Sequence, residues 1–280
     1  DTSYLNPEQV MSRVYGTLKP LNPNLMGGYM VATIPVLFGI LAHEVYNKRY
    51  ENSIVLLVLT LLSMYVLFAT GCRGSYLGLF AVILTLVGIS AKFFWKDYKK
   101  LYMSVVGGAV ALGTLLILAK ASLRARIFSI FAMRTDSSNS FRFNVYHSCI
   151  DMVKDNWLLG IGLGNQNFRE IYGLYMKTGF DALSAYNIYL ETAVESGIFA
   201  LLAFLAFLGL ALYTAFEHIK YSNDTKSLIF TITSVTSIIG LMVHGFVDTV
   251  FFRPQIHFVF WTMVAIISVE TKPSKFSINS

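Results

Sequence analysis

Charge is scarce in this chain. Only 14% of its 280 residues are Asp, Glu, Lys or Arg, while 55% are hydrophobic; an ordinary soluble domain carries about 25% charged residues. The shortage excludes a soluble globular class. Cysteine is nearly missing too. Cys72 and Cys149 are the whole supply, one at a helix end and one inside a helical pattern, so no disulfide framework is expected. Nucleic-acid modules are lacking, and the net charge of +6 sits in short loops, as membrane proteins distribute it. The run Gly160-Ile161-Gly162-Leu163-Gly164 has no strand before it and no Gly-Lys-Ser/Thr after it. That excludes a nucleotide phosphate loop and leaves a glycine turn close to the membrane surface.

Apolar runs of bilayer length fill the chain instead. A spanning helix needs about 17 to 25 residues, and seven segments meet or approach that length: 25–42, 53–71, 75–91, 101–119, 193–216, 228–248 and 255–269. The expected fold class is all-α, a polytopic membrane helical bundle with one large periplasmic loop holding short amphipathic helices. Cys72-Arg73-Gly74 separates the second and third segments as the turn of a tight helical hairpin. The chain divides into helices over 1–119, the loop over 120–188, and three helices with a cytoplasmic tail over 189–280.

Short-loop cations set the orientation. One side collects Lys48, Arg49, Lys92, Lys96, Lys99, Lys100, Lys220, Lys226, Lys272 and Lys275; the other has Arg13, Lys19, Arg73 and Arg253. The richer side is predicted to be cytoplasmic, which turns the loop, the Arg73 turn and the Arg253 turn outward. An outside start at Asp1 with no signal peptide implies an odd number of earlier helices, so the sequence reads as the C-terminal part of a larger protein.

The polar excursion between Lys120 and Tyr186 carries Arg124, Arg126, Arg134, Arg142, Arg169 and Lys177. Irregular backbone cannot sit against lipid hydrocarbon, so this segment lies outside it and is where chemistry is expected. Phe141, Val145, Cys149, Met152, Val153 and Trp157 recur at three- and four-residue spacing and predict an amphipathic helix. The capping residues Asp136 to Ser140 start it, with Arg142 in its first turn. Asn167 with Glu170 predicts a capping box opening a short helix that ends by Gly179.

Ionisable residues avoid the middle of the apolar runs and gather at the outer face: Arg73, Arg142, Glu191, Glu195, His244, Asp248 and Arg253, with His257 a turn deeper. Asn187, Glu191 and Glu195 share one helix face, and His244 and Asp248 are one turn apart. Guanidinium groups bind phosphate oxygens bidentately and keep their charge, so Arg73, Arg142 and Arg253 suit a pyrophosphate clamp. Interfacial arginines also bind lipid headgroups and helix carbonyls. Acids near a helix N-terminus and a helix-end His–Asp pair have structural readings as well.

Several stretches resemble one known family. Asn22-Pro23-Asn24-Leu25 with Gly28-Tyr29, Cys72-Arg73-Gly74 against that family's Ser-Arg-Gly, DSSNSFR at 136–142, LGIGLGN at 159–165, LSAYNIYLETAVE at 183–195 and HGFVDTVFFRP at 244–254 are similar to the O-antigen ligase and polymerase-like membrane proteins. Within these, the branch called IctB, labelled a bicarbonate transporter in cyanobacteria, is the most similar. The resemblance implies a helical membrane fold with a large periplasmic loop in the bacterial inner membrane. It further implies that Arg73 and Arg142 engage the pyrophosphate of an undecaprenyl-diphosphate-linked glycan. The ligases' proposed catalytic histidine falls at Tyr186, before Asn187, and a tyrosine with a reference pKa near 10 is a poor base.

Three functions follow from this reading. The first is metal-independent glycan transfer without a cofactor: Arg73 and Arg142 hold the leaving diphosphate, Arg253 supports them, and Asp248, Glu191 or His244 replaces the missing base. The second is transport of bicarbonate or another small anion, which normally places charged or unwound elements near the midplane. The third is non-catalytic binding of a lipid-linked glycan. Membrane lipids are the surrounding partners in each, and nucleic acid is a partner in none.

Overall fold

The computed structural model describes Arg13 and residues 21–119, 121–130 and 137–272. Lys19, Lys120, Arg134, Asp136 and Lys275 lie outside the described residues, as does the side chain of Arg126. The described part is helical, without a strand. Its helices are α1 (Pro23–Tyr46), α2 (Tyr50–Ala69), α3 (Arg73–Ala119), α4 (Ala121–Ile130), α5 (Ser137–Asp155), α6 (Asn165–Tyr175), α7 (Ile188–Tyr221), α8 (Thr225–His244) and α9 (Pro254–Glu270), with a 3-10 turn at Val250–Phe252 before α9. Five of them, α1, α2, α3, α7 and α8, are long and apolar enough to cross a bilayer, and α9 is a shorter apolar helix. The chain is a multi-pass membrane protein.

At 47 residues, α3 would extend about 70 Å if straight, more than twice the hydrocarbon thickness. It is not straight. Tyr98 leaves helical geometry (φ −126°, ψ 28°), and the Tyr102 hydroxyl reaches back to donate to the carbonyl of Val87 at 2.5 Å. Fifteen residues of continuous helix would hold those groups about 22 Å apart along the axis. Ile127 of α4 also packs against the cluster of Val31, Ile34, Leu67, Tyr76 and Leu79, which includes the start of α3. The chain therefore doubles back at Tyr98 among Lys92, Lys96, Lys99 and Lys100, giving the two arms expected at 75–91 and 101–119.

The turn between α2 and α3 is Thr70-Gly71-Cys72, with Gly71 in the left-handed region (φ 61°). After it, α3 packs mainly on α8 rather than along α2, so the arms of this hairpin splay. The most enclosed of the long helices is α8, contacted by α1, α3, α7 and α9. Lipid and apolar side chains are equally greasy, so helices in a bilayer gain from close approach at small residues and from interhelical hydrogen bonds. Both devices are present on α8. A Cβ on Gly78 would lie 2.9 Å from the Gly240 carbonyl, and the Ser237 hydroxyl donates to the Ala32 carbonyl at 2.8 Å.

Contacts between elements fix the two ends of the bundle. At one end, the Lys92 ammonium donates to the carbonyls of Ile219 and Lys220 at 2.5 and 2.7 Å, and His218 pairs with Ser227 at 2.7 Å. At the other, the Ile188 N–H donates to the Gly245 carbonyl at 2.9 Å. Helix order then puts Lys48, Arg49, Lys220, Lys226 and Lys272 at the Lys92 end, opposite Arg13, Arg73, Arg253 and the loop.

Three local expectations need correction. Asn167 does not cap α6, which begins at Asn165 with Gly164 before it and no side-chain cap. The positive φ of 112° at Gly164 turns the chain into the helix earlier, leaving Asn167 and Glu170 inside it. The helix predicted over 228–248 stops at His244, so His244 and Asp248 are not neighbours on one helix face. Asn187 likewise does not share a helix face with Glu191 and Glu195, because it is the N-cap of α7, its side chain accepting from Tyr189 and Leu190 N–H groups. Cys72 and Cys149 are both free thiols, as expected.

Candidate functional site

Past the end of α8, Asp248 folds onto the backbone that follows it. Its Oδ1 accepts from the N–H of Thr249 at 2.8 Å and of Val250 at 3.2 Å, opening the 3-10 turn. Its Oδ2 accepts from Nδ2 of Asn24 at 2.8 Å. Asn24 sits in the first turn of α1 because Asn22 caps the helix and Pro23 takes the position where a missing N–H costs nothing. The Oδ1 of Asn24 accepts from Nη2 of Arg13 at 2.9 Å, and Nε of Arg13 donates to the Thr70 carbonyl at 2.7 Å. A cation, an amide and a carboxylate thus form one chain across the loop end of the bundle.

His244 is the last residue of α8, and it is 1% exposed. Its imidazole fills a slot between two glycines: a Cβ on Gly28 would lie 2.9 Å from Cε1, and one on Gly74 would lie 2.6 Å from Cδ2. Nε2 is 3.7 Å from the sulfur of Cys72, while Nδ1 has no hydrogen-bond partner. Arg73, half-buried, immediately precedes Gly74, so the imidazole slot and this arginine share the first turn of α3.

The loop brings its own small core to this end. Val145, Cys149 and Met152 of α5 bury against Phe168 and Tyr172 of α6 and Val194 of α7. That fixes the flank of this buried face, where Arg142 and Tyr146, both half-buried, stand one turn apart. The Tyr146 hydroxyl bridges the carbonyls of Tyr186 and Phe246, 3.1 Å from each, tying the end of the loop to the residues after α8. Burial pushes its pKa up to about 12, so it stays a donor at neutral pH. Arg142 lies within electrostatic reach of both Tyr146 and His244, and its Nη1 donates to Ser138 at 3.4 Å.

Tyr186 adopts a left-handed backbone (φ 50°) and presents its ring edge-on to Phe141, with centroids 5.7 Å apart. After it, Asn187 caps α7 while its Nδ2 donates to the Phe246 carbonyl at 3.0 Å.

Glu191 and Glu195 both hold loop backbone. Oε2 of Glu191 accepts from the Ala185 N–H at 2.6 Å, and Oε1 of Glu195 accepts from the Gly164 N–H at 3.1 Å. Between them and the rest of α7 the helix breaks at Gly197 (φ 81°, ψ 174°). The break frees carbonyls that the glycine run takes up. Ile161 and Gly162 N–H groups donate to the carbonyls of Val194 and Glu195 at 2.8 and 3.0 Å, and the Ile198 N–H donates to the Trp157 carbonyl at 2.8 Å. A Cβ on Gly197 would collide with the Leu158 carbonyl, and one on Gly160 with the backbone of Glu195. The glycine turn is therefore a backbone dock on a broken membrane helix.

Arg253 is exposed at the N-cap position of α9, where its side chain makes no capping bond, and lies within electrostatic reach of Glu191. The structure brings Arg142 and Asp248 within electrostatic reach of both His244 and Tyr146, and Arg73 adjoins Gly74, the residue that abuts His244. Asp248, His244 and Glu191 are all under 10% exposed, and both carboxylates are engaged by N–H donors. Three participants were not singled out as site residues from sequence: Arg13, Asn24 and Tyr146. Of these, Tyr146 carried a usable signal, its one-turn spacing from Arg142.

The chain is similar to the teichuronic acid biosynthesis protein TuaE of Bacillus subtilis (strain 168), with 23% identity over 272 residues, which is 94% of this chain and 53% of that protein. It thus spans about half the length of the curated relative it matches. The pattern of the O-antigen ligase family matches residues 57–205, from α2 through the loop and past the Gly197 break into α7. That is just over half of the sequence, and the chain belongs to the O-antigen ligase family.

Proposed function

We propose that the outer end of the bundle binds the diphosphate of a polyprenyl-linked glycan and that the protein transfers that glycan to an acceptor hydroxyl. The observation that carries the reading is the docking of α5, which brings Arg142 from a distant part of the sequence within electrostatic reach of His244, whose slot is closed by Gly74 next to Arg73. Arg73 and Arg142 hold the leaving diphosphate, and Arg253 contributes from the rim. In the transfer, the acceptor oxygen bonds to the anomeric carbon as the bond to the diphosphate oxygen breaks. Charge developing on the diphosphate is met by fixed guanidinium groups. Asp248 takes the acceptor proton, because a carboxylate has about four lone-pair sites and three are used here. Positive-inside bias puts the Lys92 end in the cytoplasm and the loop outside the plasma membrane, where lipid-linked glycans are assembled into polymers. The three-part division at 1–119, 120–188 and 189–280 belongs to the same reading.

In cells lacking the native gene, Arg142→Ala and Arg73→Ala should each reduce glycan transfer by about 10²- to 10³-fold, the range for removing one group that stabilises developing charge. Each variant should remain in the membrane. An unchanged glycan profile with either variant would overturn the proposal.

A second reading has one observation in its favour. Tyr186 stands where the resemblance has histidine, and Asp248, His244 and Glu191 are all buried; a protein that holds the lipid-linked glycan without turning it over would show the same. New transfer activity in Tyr186→His, with none in the parent, would select this reading.

A further inference from the structure

At the inner end, α3 and α7 flank α8 without packing tightly on each other, and a groove opens between them. Thr85, Gly88 and Ile89 form one wall, Phe216 and Ile219 the other, and Ile239 of α8 the floor; Lys92 and Lys220 stand at the mouth. The cavity volume is about 420 Å³. It extends from Thr85 to Lys92, about 10 Å along the helix axis. Apolar walls over this length suit a stretch of extended hydrocarbon.

Its mouth is positively charged. Lys92 gives two N–H groups to the carbonyls of Ile219 and Lys220, which pins the ammonium across the groove's inner end and leaves one of its three donors. The Lys220 ammonium rests 4.7 Å from the Tyr221 ring centroid. Neither lysine pairs with a carboxylate among the described residues. Lys96, Lys99, Lys100 and Lys226 at the same end outnumber Asp97, Glu217 and Asp224.

We propose that this groove is a binding site for one anionic phospholipid of the inner leaflet. An acyl chain lies along Gly88, Ile89, Phe216 and Ile239, and the phosphate meets Lys220 and the remaining donor of Lys92. The site is at the opposite end from the glycan site and stands independently of the function proposed there.

The test uses full-length protein, delipidated and equilibrated with micelles containing equal phosphatidylglycerol and phosphatidylcholine of matched chains, with retained lipid read by native mass spectrometry. Each lysine near an anionic lipid contributes about 1 kcal/mol, so the expected preference for phosphatidylglycerol is about tenfold or more. Lys220→Gln should cut that preference to a few-fold. Gly88→Leu keeps every charge and fills the groove, since a Cβ there meets nothing within 4 Å; it should abolish retention. The proposal fails if both lipids are retained equally, if retention survives Gly88→Leu, or if the native protein retains neither lipid.

Discussion

Asn24 donates to Asp248 at 2.8 Å while accepting from Arg13 at 2.9 Å, so an amide in α1 stands between a cation and the carboxylate proposed as the base. Asn24→Ala removes a hydrogen bond to a charged group, worth about 1.5–3 kcal/mol, and should lower glycan transfer with the protein still in the membrane. The exchange Asn24→Asp with Asp248→Asn keeps the donor–acceptor pairing and shifts the charge one step toward Arg13. If Asp248 takes the proton, the exchange restores thermal stability and leaves transfer lost; recovery of transfer would reduce the pair to a structural tie.

Gly197 holds a backbone geometry almost confined to glycine, at a place where a Cβ would strike the Leu158 carbonyl. Gly197→Ala should cost at least about 1–3 kcal/mol from backbone strain alone. Gly209→Ala, further along the same helix and open to its surroundings, should be neutral or gain up to about 1 kcal/mol in helix propensity. Melting temperatures in detergent compare the two, and equal behaviour would contradict the break.

Tyr146→Phe removes the hydroxyl that joins the carbonyls of Tyr186 and Phe246, an expected loss of about 1–3 kcal/mol. The pH dependence has a definite sign. The folded pKa is raised to about 12 from an unfolded value near 10, so the folded state favours the protonated hydroxyl. This stabilisation is complete below pH about 10 and is lost as pH rises through about 12. The decline in melting temperature over that window should be smaller in the phenylalanine variant than in the parent.

Thiol labelling tests burial and orientation together. Cys72 and Cys149 are buried, and burial pushes the Cys149 thiol up to about 12, so a maleimide at pH 7.5 should modify neither until the protein is unfolded. Against that silent background, Lys177→Cys should react with a membrane-impermeant maleimide added to whole cells, and Lys96→Cys only after lysis. The reverse pattern would invert the bundle.

Much of this architecture could be read from local pattern. Lysines at 92–100 marked the reversal at Tyr98 that a count of helical residues would miss, and three- and four-residue spacing found the buried face of α5, except that Trp157, the last residue of that pattern, lies past the helix end at Asp155 and is exposed. The links that assemble the site have no such periodicity. Asn24 meets Asp248 across 224 positions, and nothing near either residue announces the other. Asn167 and Glu170 matched a capping pattern, but one left-handed glycine before them started the helix sooner. The glycine run could be denied a nucleotide from its flanks, yet its partner was a break in a distant helix, created by the same backbone freedom.

The break at Gly197 also changes where the loop can be cut in an exchange between relatives. Residues 188–196 are contiguous with a membrane helix, but their freed carbonyls belong to the loop's glycine run. A chimera joined at Tyr186, where polarity ends, would part the loop from its own foundation, whereas a junction beyond Ile198 would transplant the two as a unit.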